Sequence, residues 1–185
     1  MSTARLFVAL ELPVRARTAL ARWGHEACDA DPALRAVGEV GLHVTVHFLG
    51  ERPEDDIAAL RSAIAAAPAR GIPLTAAGAL WLSPRRPHVL TLALEDTTGS
   101  LAALHAALGP ALEAATPGWS REARPLRPHI TVARVRRGAT PRLEAVPQPP
   151  ELSFAATAVV LLQSRLSPAG AVYEPLERLV LHRGA

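Results

Sequence analysis

The alternation of apolar and polar residues along the chain predicts strands and helices in a regular order. An apolar run over residues 5–12 is typical of a buried strand, and the pattern at 14–28 is typical of an amphipathic helix. The β-branched run over 43–49 predicts a second strand. A helix at 53–67, with acidic residues in its first turn, and a strand at 74–82 follow.

The same order of elements begins again in the second half of the chain. Apolar patterns predict a strand at 88–94, a helix at 101–115 and a strand that starts at His129. Further strands are predicted at 152–164 and 176–181. We interpret the repeated order of strand, helix, loop and strand as an internal duplication.

Each half carries a His-x-Thr unit at the start of a strand, His43-Val44-Thr45 in the first and His129-Ile130-Thr131 in the second. Residues two apart in a strand point to the same face, so each His and its Thr lie roughly 6.6 Å apart on one side. A fold that joins the two halves would place two imidazoles and two hydroxyls around one small anion. This set of groups suits acid and base chemistry on a phosphate.

Composition narrows the class of protein. With 185 residues, 49% of them hydrophobic, the chain can form one domain over residues 1–185 with a substantial core. No apolar run reaches the roughly 18 residues of a membrane span, and no signal peptide is evident, so we expect a cytoplasmic monomer without a membrane partner. Because Cys28 is the single cysteine, an internal disulfide and a Cys-based zinc cluster are excluded.

Positive charge is concentrated around the second His-x-Thr unit. Residues 121–142 contain seven arginines and one acidic residue, Glu122. Arginine makes planar, two-pronged contacts with phosphate. We therefore expect this segment to line the site and to bind the substrate backbone, with Arg127 and Arg134 as substrate-binding residues.

The two units and their flanking residues resemble the two signature motifs of the 2H phosphoesterase superfamily. The resemblance is closest to its bacterial and archaeal RNA 2′,3′-cyclic phosphodiesterases, also called 2′-5′ RNA ligases. The residues that carry it are His43-x-Thr45-x-x-Phe48-Leu49-Gly50 and Arg127-Pro128-His129-x-Thr131-x-Ala133-Arg134, with similar chain ends at Arg5-Leu6-Phe7-Val8-Ala9-Leu10, Gln163-Ser164-Arg165-Leu166 and Gly170-Ala171-x-Tyr173. The resemblance implies a bilobal α+β fold, in which two antiparallel sheets with flanking helices face a cleft across a pseudo-two-fold axis.

Water can open a 2′,3′-cyclic phosphate if one group accepts a proton and another donates one, and two histidines can supply both. The positive charge near His129 favours it as proton acceptor and leaves His43 as proton donor, an assignment that the resemblance also suggests. Thr45 and Thr131, with Arg134, would bind the phosphate oxygens. The expected substrates are RNA with 2′,3′-cyclic ends or cyclic nucleotides, the expected product is a 2′-phosphomonoester, and no cofactor or metal is required.

Other readings of these residues stay open. The reverse reaction would ligate RNA ends through a 2′-5′ linkage, and a non-catalytic RNA-binding module would use the same groups to hold phosphate. His43 and His47 have the spacing of a helical zinc site, but in a strand they lie roughly 13 Å apart, too far for one ion. We expect His47 to line the cleft at most, and Phe48 and Leu49 to belong to the core.

Overall fold

The computed structural model describes residues 2–83, 85–167 and 170–182, so Met1, Pro84, 168–169 and 183–185 of the predicted single domain lie outside the described residues. Nine strands and three α-helices are present in the described part of the chain. The strands are β1 (Thr3–Glu11), β2 (Leu34–Ala36), β3 (His43–Pro53), β4 (Ile72–Leu82), β5 (Val89–Glu95), β6 (His129–Val135), β7 (Ser153–Ala156), β8 (Ala158–Ser167) and β9 (Gly170–Val180). The helices are α1 (Val14–Ala30), α2 (Ile57–Ala65) and α3 (Ser100–Ala115). None of the helices in these described ranges is long and apolar enough to cross a bilayer.

The strands form one sheet in the order β7-β4-β5-β6-β3-β1-β8-β9. The short strand β2 stands outside this order and pairs with residues 133–135 of β6. Every pairing between these strands is antiparallel. The sequence predicted two separate sheets, whereas the structure has one, because the backbones of β3 and β6 pair at Val44 and Ile130. This single pair makes the centre of the sheet its narrowest point.

Each half of the chain contributes a strand to the other half of the sheet. Strand β4 follows β3 along the chain but pairs with β5. Strand β8 comes after β6 and β7 but pairs with β1. Outward from the centre, β3 is followed by β1, β8 and β9, and β6 by β5, β4 and β7. A bilobal shape with a pseudo-two-fold axis stays a prediction.

The helices cover the face of the sheet opposite the His-x-Thr side chains. Val44, Ile130 and Val132 are fully buried in the core. Gly24 of α1 approaches β6 so closely that a Cβ there would lie 2.9 Å from the carbonyl oxygen of Val132. Trp23, which is also buried, donates a hydrogen bond from Nε1 to the carbonyl oxygen of Pro147 at 3.0 Å.

Most predicted elements are present, with differences at their ends. The apolar stretch 152–164 is two strands, because the backbone N–H of Thr157 donates to the carbonyl oxygen of Glu11 at 2.9 Å and interrupts the run. Strand β9 begins at Gly170 rather than at 176, and the helix predicted at 53–67 starts as a 3₁₀ turn. The short strand β2 was not predicted.

Candidate active site

A cleft of about 680 Å³ lies on the face of the sheet that the helices leave open, and both His-x-Thr units line it. His43 and Thr45 enter from β3, and His129 and Thr131 enter from β6. Since β3 and β6 are neighbours in the sheet, the two units face the same space. The structure thus places the four predicted side chains around one cavity.

The two histidines are held in the same way. Nδ1 of His43 donates a hydrogen bond to the carbonyl oxygen of Gly41, and Nδ1 of His129 donates to that of Arg127, both at 2.8 Å. A carbonyl oxygen only accepts, so each Nδ1 carries its proton. In the neutral rings Nε2 is then the nitrogen with a free lone pair, and it is the atom that can accept or donate a proton in the cleft.

His43 is surrounded by aromatic rings. The ring centroid of Phe7 lies 4.9 Å from that of His43, and the ring of Tyr173 stands edge-on at 5.1 Å. This burial lowers the pKa of His43 to about 4, and the positive charges of Arg134 and His129 lower it as well, against the opposing effect of the Gly41 hydrogen bond. From the sequence, positive charge was expected near His129 only, whereas the charge of Arg134 acts on His43 as well.

A β-bulge decides which side chains of β3 face the cleft. In the pairing with β1, Thr45 lies opposite Ala9 and His47 lies opposite Val8, so Val46 is an extra residue. A bulge of one residue exchanges the two faces of the strand beyond it. His47 is consequently only 4% exposed, whereas Phe48 is 52% exposed and lines the cleft.

The predictions for these two residues are corrected by this bulge. His47 belongs to the core: its Nε2–H donates to the carbonyl oxygen of His105 at 3.0 Å, and the two imidazole rings stack at 4.1 Å. Burial lowers the pKa of His47. Phe48 was predicted in the core and lies in the cleft, while Leu49 is buried as predicted.

Strand β6 contains a matching bulge. Thr131 pairs with Thr91 and Ala133 pairs with Leu90, which leaves Val132 as the extra residue. Strict alternation from His129 would turn Arg134 away from the cleft, but the bulge brings it to the lining. Arg134 therefore occupies the same position after His129 as Phe48 does after His43.

The other arginines of the 121–142 segment have different surroundings. The side chain of Arg127 is exposed, and Arg127 is not among the described residues that line the cleft. Its backbone carbonyl oxygen accepts the hydrogen bond from His129. Four other arginines of the segment contact acidic side chains or backbone carbonyl groups away from the cleft. The pairs are Arg121 with Glu113, Arg124 with Glu122, Arg136 with Pro32 and Leu34, and Arg142 with Asp31 and Ala30. The expectation that the segment as a whole lines the site is wrong.

Two arginines and a tyrosine that line the cleft were not predicted from the sequence to do so. Arg5 of β1 and Arg35 of β2 line it, together with Tyr173 of β9. Arg5 could have been found as a charged residue that shares a face with Phe7 in an otherwise apolar strand. Across the described residues, no three His, Cys, Asp or Glu side chains are grouped closely enough to hold a metal ion.

The fold and cleft define an α+β protein in which two equivalent His-x-Thr strands meet at the centre of one antiparallel sheet. The chain belongs to the 2′-5′ RNA ligase superfamily, whose sequence profile matches residues 12–167. This membership agrees with the resemblance seen in the motifs.

Three relatives of this chain share the name RNA 2′,3′-cyclic phosphodiesterase. The RNA 2′,3′-cyclic phosphodiesterase of Thermus thermophilus is 33% identical over 193 residues, covering 96% of this chain and 90% of the relative. That of Escherichia coli K12 is 32% identical over 182 residues, with 96% of each chain covered. That of Geobacillus stearothermophilus is 31% identical over 173 residues and 90% of this chain, but the chain spans only about half (54%) of that relative.

Solved structures show the same fold. The crystal structure of TT0787 from Thermus thermophilus superposes with a TM-score of 0.80 at 29% identity, covering 96% of this chain and 97% of the other. Escherichia coli LigT complexed with 3′-AMP gives 0.76 at 28% identity, with 97% and 99% covered. The α+β architecture is therefore shared along nearly the whole chain.

Proposed function

We propose that this protein hydrolyses 2′,3′-cyclic phosphodiester ends of RNA to 2′-phosphomonoesters. The observation that carries the proposal is the meeting of two His-x-Thr units in one cleft, each with its histidine Nδ1 held by a backbone carbonyl. Relatives that are about a third identical over most of this chain are named RNA 2′,3′-cyclic phosphodiesterases, which supports the substrate class.

The reaction is a displacement at phosphorus with two proton transfers. Nε2 of His129 accepts a proton from water as the water oxygen forms its bond to phosphorus. The bond between phosphorus and the 3′ oxygen breaks, and its electron pair stays on that oxygen. Nε2–H of His43 donates a proton to this leaving oxygen, so the products are a 3′ hydroxyl and a 2′-phosphate.

Hydrogen-bond donors around the cleft stabilise the charge that grows on the phosphate oxygens. The hydroxyls of Thr45 and Thr131 lie two residues from their histidines on the cleft face of β3 and β6. Arg134 adds a guanidinium, which suits phosphate through its planar pair of N–H groups. Donors fixed on strands need little reorganisation during the reaction, and this favours the transition state.

The acidic pKa of His43 makes its role depend on the substrate. In the free protein the pKa of about 4 leaves the imidazole mostly neutral at pH 7. A bound phosphodiester anion beside Nε2 offsets the charge of Arg134 and favours the imidazolium form. His43 then becomes the proton donor only when substrate occupies the cleft.

Purified protein treated with EDTA, incubated with an oligoribonucleotide that ends in a 2′,3′-cyclic phosphate, tests this function. We expect conversion to a 2′-phosphate, identified by mass spectrometry and resistance to a 3′-specific phosphatase. His43→Ala and His129→Ala should each lose turnover while they still bind the product. Binding without turnover by the wild type would instead indicate an RNA-binding module, and restoration of EDTA-treated protein only by zinc or manganese would refute metal-independent chemistry.

The separate roles of the histidines are tested with a better leaving group. A substrate whose bridging 3′ oxygen is replaced by sulfur needs little protonation at the leaving atom. It should rescue His43→Ala, which lacks only the acid, far more than His129→Ala. Equal rescue of both variants, or formation of a 3′-phosphate, would refute the assignment.

A further inference from the structure

We propose that a second cavity beside the cleft binds the nucleotide that precedes the cyclic end, so that the protein takes the end of an RNA chain in preference to a mononucleotide. The phosphodiester on the 5′ side of the terminal ribose lies against Arg35, while Arg134 holds the cyclic phosphate. This inference rests on the proposed function, because it extends the same substrate by one nucleotide.

The second cavity has a volume of about 290 Å³ and adjoins the cleft. Arg35, Arg134 and Tyr173 line both spaces. The 3₁₀ turn at Glu39–Gly41 and the start of β9 supply its other walls. Ligand pockets generally have volumes of about 300 to 1,000 Å³, so a cavity at the lower end of this range suits one nucleotide rather than a longer stretch of chain.

The pairing of β2 with β6 places two positive charges side by side. Arg35 of β2 lies directly opposite Arg134 of β6, in an antiparallel pairing of only three residues. Directly opposed residues have Cβ atoms about 4.5–5.5 Å apart, and like charges in such positions destabilise the pair of strands. Anions bound at both guanidinium groups offset this repulsion. An RNA chain that ends in a cyclic phosphate has two negative charges separated by one ribose, one for each arginine.

The loop between β2 and β3 does not direct negative charge into the second cavity. Its one acidic residue is Glu39, and the carboxylate accepts a hydrogen bond from the hydroxyl of Thr18 on α1 at 2.8 Å. Among the described residues that line the cleft and the second cavity, none is acidic. The arginines therefore give both spaces a positive potential, which attracts a polyanionic chain.

Two exposed apolar side chains border the second cavity. Val40 is 95% exposed and Val172 is 56% exposed, and both line the cavity with the arginines. A free phosphate ion would contact only the guanidinium groups. The ribose and base of a preceding nucleotide also cover the apolar surface of the valines, which is favourable in water. The combination of charge and apolar surface therefore fits a nucleotide better than inorganic phosphate.

The test compares a dinucleotide with a mononucleotide that has the same reacting group. The values of kcat/KM are measured for adenylyl-(3′→5′)-adenosine 2′,3′-cyclic phosphate and for adenosine 2′,3′-cyclic phosphate. The wild type should prefer the dinucleotide. We expect Arg35→Gln to reduce this preference about tenfold, because it removes a charged hydrogen-bond donor to the second phosphate. Since both substrates undergo the same reaction, the ratio of the two values cancels effects on the chemical step.

Arg22→Gln serves as the matched control, because it makes the same change in charge. Arg22 belongs to α1, its side chain is 74% exposed, and it lies outside the cleft and the second cavity. This variant should keep the wild-type ratio. A wild type without preference for the dinucleotide, or an Arg35→Gln variant that loses the same factor on both substrates, would overturn the proposal.

Binding at several salt concentrations separates this proposal from the proposed function. The ligands are adenylyl-(3′→5′)-adenosine 2′-phosphate and adenosine 2′-phosphate. One phosphate contact on a single strand contributes about −0.7 to the slope of log affinity against log salt, so the slope of the dinucleotide should be steeper by about this amount. Arg35→Gln should remove the difference.

If neither cyclic substrate is hydrolysed, the proposed function fails, yet the binding comparison still decides on the second cavity. Equal affinities and equal slopes of the two ligands for the wild type would refute the proposal.

Discussion

Replacement of His43 by glutamine should make the stability of the protein less sensitive to acid. In the folded chain the pKa of His43 is lowered from 6.5 to about 4, first of all by burial. Between these two values the unfolded chain binds more protons than the folded chain. The contribution of neutral His43 is therefore fully present above about pH 6.5 and is lost as the pH falls toward 4.

The size of this loss follows from the pKa difference. One pKa unit corresponds to about 1.4 kcal/mol, so proton linkage at His43 removes about 2 kcal/mol from the free energy of unfolding between pH 7 and pH 5. Below pH 4 the loss approaches about 3 kcal/mol. Burial also lowers the pKa values of His47 and His105, but these residues titrate in both proteins and cancel in the comparison.

Urea unfolding at pH 7 and pH 5, followed by tryptophan fluorescence, measures the effect. The wild type should lose about 2 kcal/mol more than His43→Gln between the two pH values. Thr45→Val changes the neighbouring cleft residue without removing a titratable group, and it should follow the wild type. If His43→Gln loses as much stability as the wild type, burial of a neutral His43 is refuted.

Three other substitutions test the site and its support. Arg134→Gln should raise the pKa of His43, because it removes a positive charge that lowers this pKa. NMR titration of the His43 imidazole measures the change, and an unchanged pKa would show that Arg134 does not act on His43. Thr131→Val should reduce kcat/KM by about 10- to 100-fold, because it removes a hydrogen-bond donor to the charged phosphate, and it should leave the thermal midpoint close to that of the wild type. Equal activity of the variant and the wild type would exclude a role for this hydroxyl. Gly24→Ala should destabilise the fold by about 1–2 kcal/mol, because the new methyl group meets the backbone of Val132 and this outweighs the gain in helix propensity. Gly38→Ala, where a Cβ meets nothing within 4 Å, is its control, and equal melting temperatures of both variants would contradict the packing argument.

The sequence was sufficient to predict most of the elements and the central pair of motifs. Apolar periodicity is a local signal, and it located β1, β3 and β6 together with all three helices. The spacing of His43 from Thr45, and of His129 from Thr131, is likewise local, since it requires only that each unit be extended. The family membership of the chain was predictable for the same reason, because the motifs stand in short continuous segments.

The bulges could not be predicted in this way. Whether Val46 or Val132 is an extra residue depends on how the strand pairs with its neighbour, and nothing within the strand itself marks it. The assignment of Phe48 to the core failed for this reason, and the same bulge buries His47, which was expected to line the cleft at most. Arg35 and Tyr173 escaped notice because β2 and β9 bring them to the cleft from distant parts of the chain.

The exchange of β4 and β8 between the two halves has a consequence for how the protein folds. Strand β1 completes its pairing only with β8, whose residues lie about 150 positions later in the sequence, as in the pair of Glu11 with Ala158. Contacts between such distant segments form slowly, since a long loop must close before the pairing stabilises it. The part of the sheet that contains β1 can therefore be completed only after the chain has been made through β8, whereas strands β4 to β7 lie between residues 72 and 156 and can pair earlier. A fragment that ends before β8 should leave one edge of β1 unpaired, even though it carries both His-x-Thr units.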